Sequence, residues 1–128
     1  MKKPIAFLSI VLCLSLAAFA SADGVRQRIK FARGENSASV EGSVARGGRD
    51  IYIIGGREGQ KMSVKISSDE NNAVFQIRDA ASKKFVSGAG EGDDATEWSN
   101  AIPATGDYEI IIGGARGGAS YKLSVTIK

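Results

Sequence analysis

The side chains able to do chemistry are few, and their absences are as informative as their presence. The sequence has no histidine, and its single cysteine is Cys13. A Cys/His zinc site, a Ser-His-Asp triad and a Cys-His pair are therefore excluded downstream of Cys13. Carboxylates, lysines and three tyrosines remain. A glycosidase-type carboxylate pair needs two acids facing one cleft, and no paired acidic motif falls on one strand face. The residues that stand out are arginines set in or beside Gly-Gly turns: Arg46 and Arg49 around Gly47-Gly48, Arg57 after Gly55-Gly56, and Arg116 between Gly114 and Gly117. A guanidinium on a turn can form two charge-assisted bonds to a carboxylate; it also keeps a hairpin tip solvated. Arg116, Gly114, Gly117, Arg49 and Arg46 are the partner-binding candidates. The acidic run Glu91-Gly92-Asp93-Asp94, with Glu97 nearby, is a candidate calcium loop by its oxygen-rich composition, although its spacing is not that of an EF-hand. Trp98, the one tryptophan, offers a single platform for a sugar ring.

The elements that must position these groups begin after a distinct leader. Met1-Lys2-Lys3 precedes an apolar run from Ile5 to Phe19 that closes on Ala20-Ser21-Ala22. A basic start, a short apolar stretch and an A-x-A site make a secretory signal peptide over 1–22, too short to remain as a membrane span. Leu12 before Cys13 argues against a lipoprotein signal. The predicted exported chain is 23–128, one domain acting in the periplasm or the medium. The 17 basic residues less Lys2 and Lys3 leave 15 against 14 acidic, a net charge of +1. That is no basic field for nucleic acid, and the Arg-Gly-Gly triplets interrupt strand-like runs. No amphipathic stretch suggests membrane attachment.

Period-two alternation runs through 23–128. Arg28 to Phe31 alternates; Ala38, Val40 and Val44 share a face, with Gly42 marking a bulge or close approach. Asp50 to Ile54 is a short strand around Tyr52. Met62, Val64 and Ile66 alternate with Ser63, Lys65 and Ser67; Phe75 and Ile77 alternate with Gln76 and Arg78; Phe85-Val86 is an apolar pair. Tyr108, Ile110 and Ile112 share one face, and Tyr121, Leu123, Val125 and Ile127 another. Tyrosines at core phase are packing residues, and Lys83-Lys84 and Asp69-Glu70 read as solvated turns. About eight short strands, each with one apolar face, predict an all-β, antiparallel, jelly-roll-like β-sandwich.

The order Phe31-Ala32-Arg33-Gly34, Ser37-Ala38, Gly42-Ser43-Val44, Asp50-Ile51-Tyr52, Gly59-Gln60-Lys61-Met62-Ser63-Val64, Trp98-Ser99, Ile102-Pro103-Ala104-Thr105-Gly106-Asp107-Tyr108 and Tyr121-Lys122-Leu123-Ser124-Val125 resembles the periplasmic inhibitors of goose-type lysozyme. The turn-plus-strand pieces are shared with the pre-peptidase C-terminal modules of secreted peptidases. The resemblance implies a small exported sandwich, monomeric or weakly dimeric, that does no chemistry itself. It also implies loops that enter and block the cleft of a goose-type lysozyme; if Arg116 projects from its turn, its guanidinium is suited to reach a catalytic glutamate there. The alternative it implies is a secreted binding module for a glycan, peptide or envelope partner. Compared with the inhibitors, the Arg116 loop is several residues shorter and keeps one arginine.

Overall fold

The computed structural model describes residues 24–128; the predicted signal peptide lies outside them. Eight strands follow in order: β1 (Arg26–Arg28), β2 (Ser37–Val44), β3 (Asp50–Gly56), β4 (Lys61–Ser68), β5 (Ala73–Asp79), β6 (Glu97–Ala101), β7 (Gly106–Gly114) and β8 (Ala119–Ile127). They form two four-stranded sheets, β1-β3-β7-β5 and β2-β8-β4-β6. Each strand lies in the sheet opposite its predecessor, so every connection crosses the sandwich in the jelly-roll manner. The all-β sandwich expectation is met. One pair departs from the antiparallel pattern: β1 runs parallel to β3, Arg26 opposite Ile51 and Arg28 opposite Ile53. The strand there is Arg26–Arg28, earlier than the Arg28–Phe31 alternation suggests, while Ile29 N–H still bonds Ile53 O at 2.8 Å.

The alternation produces the core directly. Tyr52, Ile54, Phe75, Ile77, Tyr108, Ile110 and Ile112 point inward from the first sheet, against Met62, Val64, Ile66, Tyr121, Leu123, Val125 and Ile127 from the second. Burying one such side chain contributes about 1.5–3 kcal/mol, and the described residues contain no cysteine to cross-link them. All three tyrosines pack at core phase, and each finds a polar partner. Tyr108 Oη donates to Ala104 O at 2.6 Å and accepts from Ala104 N–H at 3.1 Å, pinning the Pro103–Gly106 turn to the strand it feeds. Tyr52 and Tyr121 share a hydrogen bond of 2.8 Å, and Tyr121 Oη donates to Asp50 Oδ2 at 2.5 Å. Phe85 does not start a strand but bridges back to Arg78, and Val86 N–H bonds Ile77 O.

Gly42 resolves as a close approach without a bulge, since it pairs in register with Tyr121. A methyl at Gly42 would lie 2.5 Å from Tyr121 Oη and 3.3 Å from Tyr52 Oη. Gly42→Ala is therefore expected to cost about 2 kcal/mol, because a displaced Tyr121 leaves the buried Asp50 short of a donor. Chemical denaturation measures this; an unchanged midpoint would mean that Tyr121 repacks without losing Asp50.

The outer faces of the two sheets differ. On the second, Ser37, Thr126, Ser63 and Ser99 form one row across all four strands, with hydroxyl contacts of 3.0 Å between Ser37 and Thr126 and 2.9 Å between Ser63 and Ser99. The first carries charge. Arg26 and Arg28 reach from β1 across β3 to Glu109 and Asp107 on β7, at 2.9 and 2.6 Å. Arg78 reaches Glu109 from β5 at 2.7 Å, and Lys83 stands 3.5 Å away. Glu109 is thus only 1% exposed although it sits on an outer face, because its own cations cover it. Burial pushes its carboxyl up, but hydrogen bonds from Arg78 and Arg26 and the charges of Arg78 and Lys83 outweigh that, leaving it below the usual range.

Candidate functional site

Three connections meet at one end of the sandwich: the β2–β3 turn at 45–49, the β4–β5 turn at 69–72 and the β7–β8 turn at 115–118. Arg46 and Arg49 lie on the first, Arg116 and Gly117 on the third, and Gly114 ends the strand that leads into the third. Gly47 and Gly117 take left-handed φ of 75° and 93°, conformations open to glycine at little cost. At Gly114 a side chain would run into the carbonyl oxygen of Gly117, so the β7–β8 crossover turn closes only over a bare α-carbon. The two turns press together as well: a methyl on Gly118 would meet Val44 O at 3.0 Å and Arg46 N at 3.5 Å. Arg46, Arg49 and Arg116 are all exposed, and none has a carboxylate within 4 Å among the described residues. Arg57 does not join them. Its turn lies at the opposite end, where Gln60 Oε1 accepts from Arg57 N–H and the neighbouring Glu58 N–H bonds Thr105.

The glycine-rich Arg116 turn is tied to the neighbouring β4–β5 turn by side-chain hydrogen bonds. Asn72 Oδ1 accepts the Arg116 N–H at 2.7 Å, while Asn72 Nδ2 donates to Gly118 O at 2.8 Å and to Arg116 O at 3.4 Å. Ala115 N–H bonds Asn72 O at 2.7 Å. Asn72 is held in place by a tight turn, Asp69–Asn71, in which Glu70 and Asn71 take φ of 59° and 54° and Ala73 N–H bonds Ser68 Oγ. In sequence Asn71-Asn72 is only a turn signal; the brace joins positions 44 apart and leaves no local trace.

The β2–β3 turn is anchored where it enters β3 by Asp50, 1% exposed. Its Oδ1 accepts Val25 N–H at 3.0 Å while its Oδ2 takes the Tyr121 hydroxyl. Burial, and the hydrogen bonds to Asp50 and Tyr52, push the Tyr121 hydroxyl up, so it stays a neutral donor. Val25 is the one large apolar side chain left exposed among the described residues, and it sits at this same end.

Asp93 Oδ2 accepts Gly90 N–H at 2.8 Å, closing its own turn, and among the described residues no three His, Cys, Asp or Glu side chains converge as a metal site. Trp98 lies on β6 half-buried against the core, its indole N–H bonded to Ser87 O at 2.8 Å. It packs at the core edge and lines two surface grooves, one with Ser63 and Ser124, the other with Phe85 and Pro103.

No family model and no curated protein sequence matches the chain. Solved structures do. The periplasmic inhibitor of g-type lysozyme from Aeromonas hydrophila, PliG, is 26% identical with a TM-score of 0.71, covering 83% of this chain and 98% of its own. A mutant of the Escherichia coli PliG inhibitor is 24% identical with a TM-score of 0.64, covering 82% and 99%. The pre-peptidase C-terminal domain of a Bacillus anthracis collagenase is 16% identical with a TM-score of 0.60, covering 79% and 94%, a likeness of fold alone. The chain is thus similar in structure both to the inhibitors its motifs resemble and to the peptidase module that shares their turns.

Proposed function

We propose that this protein is an exported inhibitor of goose-type lysozyme, acting in the periplasm, whose arginine-bearing end enters the enzyme's cleft. The observation that carries this reading is the gathering of Arg46, Arg49 and Arg116, unpaired among the described residues, on two crossover turns packed against each other. Arg116 stands on the turn that Asn72 braces, so its backbone is ordered before any partner arrives. Pre-ordering lowers the entropy lost on binding. A guanidinium that loses its water on meeting a cleft carboxylate gains a two-pronged, charge-assisted bond. Inhibition then follows from occupancy of the cleft, and the inhibitor supplies shape and charge while undergoing no chemistry.

The test is a lysis assay of residues 23–128 against goose-, chicken- and invertebrate-type lysozymes in parallel. Saturable inhibition of the goose type alone is expected. Arg116→Ala should weaken it about tenfold or more, the loss of roughly 1.4 kcal/mol. A mutant as potent as the parent would remove Arg116 from the contact. The likeness to the collagenase domain favours a second reading, a binding module for a glycan, peptide or envelope partner. Retention on cell-wall material without inhibition of any lysozyme would select it.

A further inference from the structure

Beside the arginine-bearing turns, the outer face of the first sheet is notched. Arg49 runs from the start of β3 across Gly113 on β7, close enough that a methyl there would meet its Nη1 at 2.9 Å. The guanidinium forms one wall of a cleft of about 190 Å³. Ile111 and Val74 give an apolar floor, Gln76 adds an amide, and Asp94 stands on the rim. Small-molecule sites usually run to roughly 300–1,000 Å³, so this cleft suits a single side chain.

We infer that the cleft between Arg49 and Gly113 receives one acidic side chain, a glutamate, from the protein partner, giving the inhibitor a second anchor beside Arg116. The inference deepens the proposed inhibitor function and rests on it for the partner's identity. Charge selects the ligand. Arg26, Arg78 and Lys83 are engaged with Glu109, and Arg28 with Asp107. Arg49 has no such partner among the described residues; its Nη1 donates to Gly48 O at 2.9 Å, and its other N–H groups are open to a ligand. The apolar floor suits the two methylenes of a glutamate, and the guanidinium wall suits its carboxylate. Continuity selects the source. Gly114 and Ala115 line the cleft and also lead into the Arg116 turn, so a body seated on Arg116 also roofs the cleft. Asp94 supplies an internal control, because a like charge on the rim opposes the incoming carboxylate.

The experiment has two arms. In the first, isotope-labelled protein is titrated with N-acetyl-L-glutamate α-amide and, separately, with its neutral glutamine counterpart, following the amide signals of Gln76, Gly113 and Gly114. Saturable shifts with the acid alone are expected, about tenfold weaker in Arg49→Ala and in Gly113→Ala, where the methyl displaces the guanidinium, and several-fold tighter in Asp94→Asn. No shifts, equal shifts with the neutral probe, or indifference to Arg49→Ala would overturn the cleft. In the second arm, Arg49→Ala should weaken goose-type lysozyme inhibition about tenfold, with Arg49→Lys restoring part of it. Unchanged inhibition by Arg49→Ala overturns the anchoring role even if the probe binds. If the parent inhibits no lysozyme while the probe binds through Arg49, the inhibitor reading fails and the acid-binding cleft stands.

Discussion

Replacing Glu109 with glutamine is expected to cost about 3 kcal/mol of stability, the largest effect of any single change outside the apolar core. Removing one partner from a covered charge cluster typically costs about 3–5 kcal/mol, because the remaining charges lose their counter-ion. The low end applies here. The Arg26 and Lys83 side chains are more than half exposed and can turn to water, whereas Arg78, at 26%, is held down over the sheet. For a domain of this size the midpoint of thermal unfolding should fall by about 12 °C. The pH dependence follows from the depressed carboxyl. Glu109 binds its proton less readily folded than unfolded, so its contribution is fully present above the ordinary glutamate range, near pH 4.3. It fades as pH falls through the lower folded value. The gap between parent and Glu109→Gln should therefore be widest near neutrality and close in acid. A gap that stayed constant from pH 7 to 3 would show that packing, and not charge, holds the cluster.

Replacing Asn72 with alanine should reduce inhibition about thirtyfold, more than losing the Arg116 side chain itself. Three side-chain hydrogen bonds disappear at once, each contributing about 0.5–1.5 kcal/mol net. Roughly 2 kcal/mol of pre-ordering is then lost, about 1.5 decades in affinity. The bonds lie at the surface, so global stability should change far less than potency. Asn72→Asp separates the contributions: it keeps an acceptor for Arg116 N–H but loses both donations to the loop carbonyls, and its potency should fall between the two. Amide exchange at 115–118 reports the cause directly. Fast exchange with unimpaired inhibition would mean that the partner orders the loop on contact, and the brace would have no part in recognition.

These two residues also mark where sequence reading stops. Alternation located the core strands because burial on one face of a sheet imposes a period of two, and the residues of Met62–Ile66 and Tyr121–Ile127 obey it. It placed Arg46, Arg49 and Arg116 on turns because Gly-Gly pairs end strands. It also put Arg57 in the same class, since only the alternation of strands between sheets sends that turn to the far end. Glu109 reads as a solvent-facing residue of β7, and by phase it does face outward. What buries it are Arg26, Arg78 and Lys83, drawn from three other parts of the chain. Asp50 reads as a strand start, although its hydroxyl donor lies 71 positions away. The parallel pairing of β1 was invisible for a similar reason: three residues carry too little pattern to choose a neighbour or a direction.

The hydroxyl-covered face of the second sheet bears on how the molecule meets its surroundings. Its hydroxyl side chains have little apolar surface to hide, and several already satisfy one another, as Ser43 and Ser120 do at 3.3 Å, while the long Lys65 and Glu97 side chains among them stand out in water. A collision on that flank gains almost nothing in exchange for the water it would expel, so residence there is brief. The opposite situation holds at the end carrying Val25 and the unpaired arginines. In a crowded compartment such a body tumbles past most neighbours and lingers only when it arrives end-on. Its selectivity would begin with what the broad flank declines to hold, before any guanidinium finds a carboxylate.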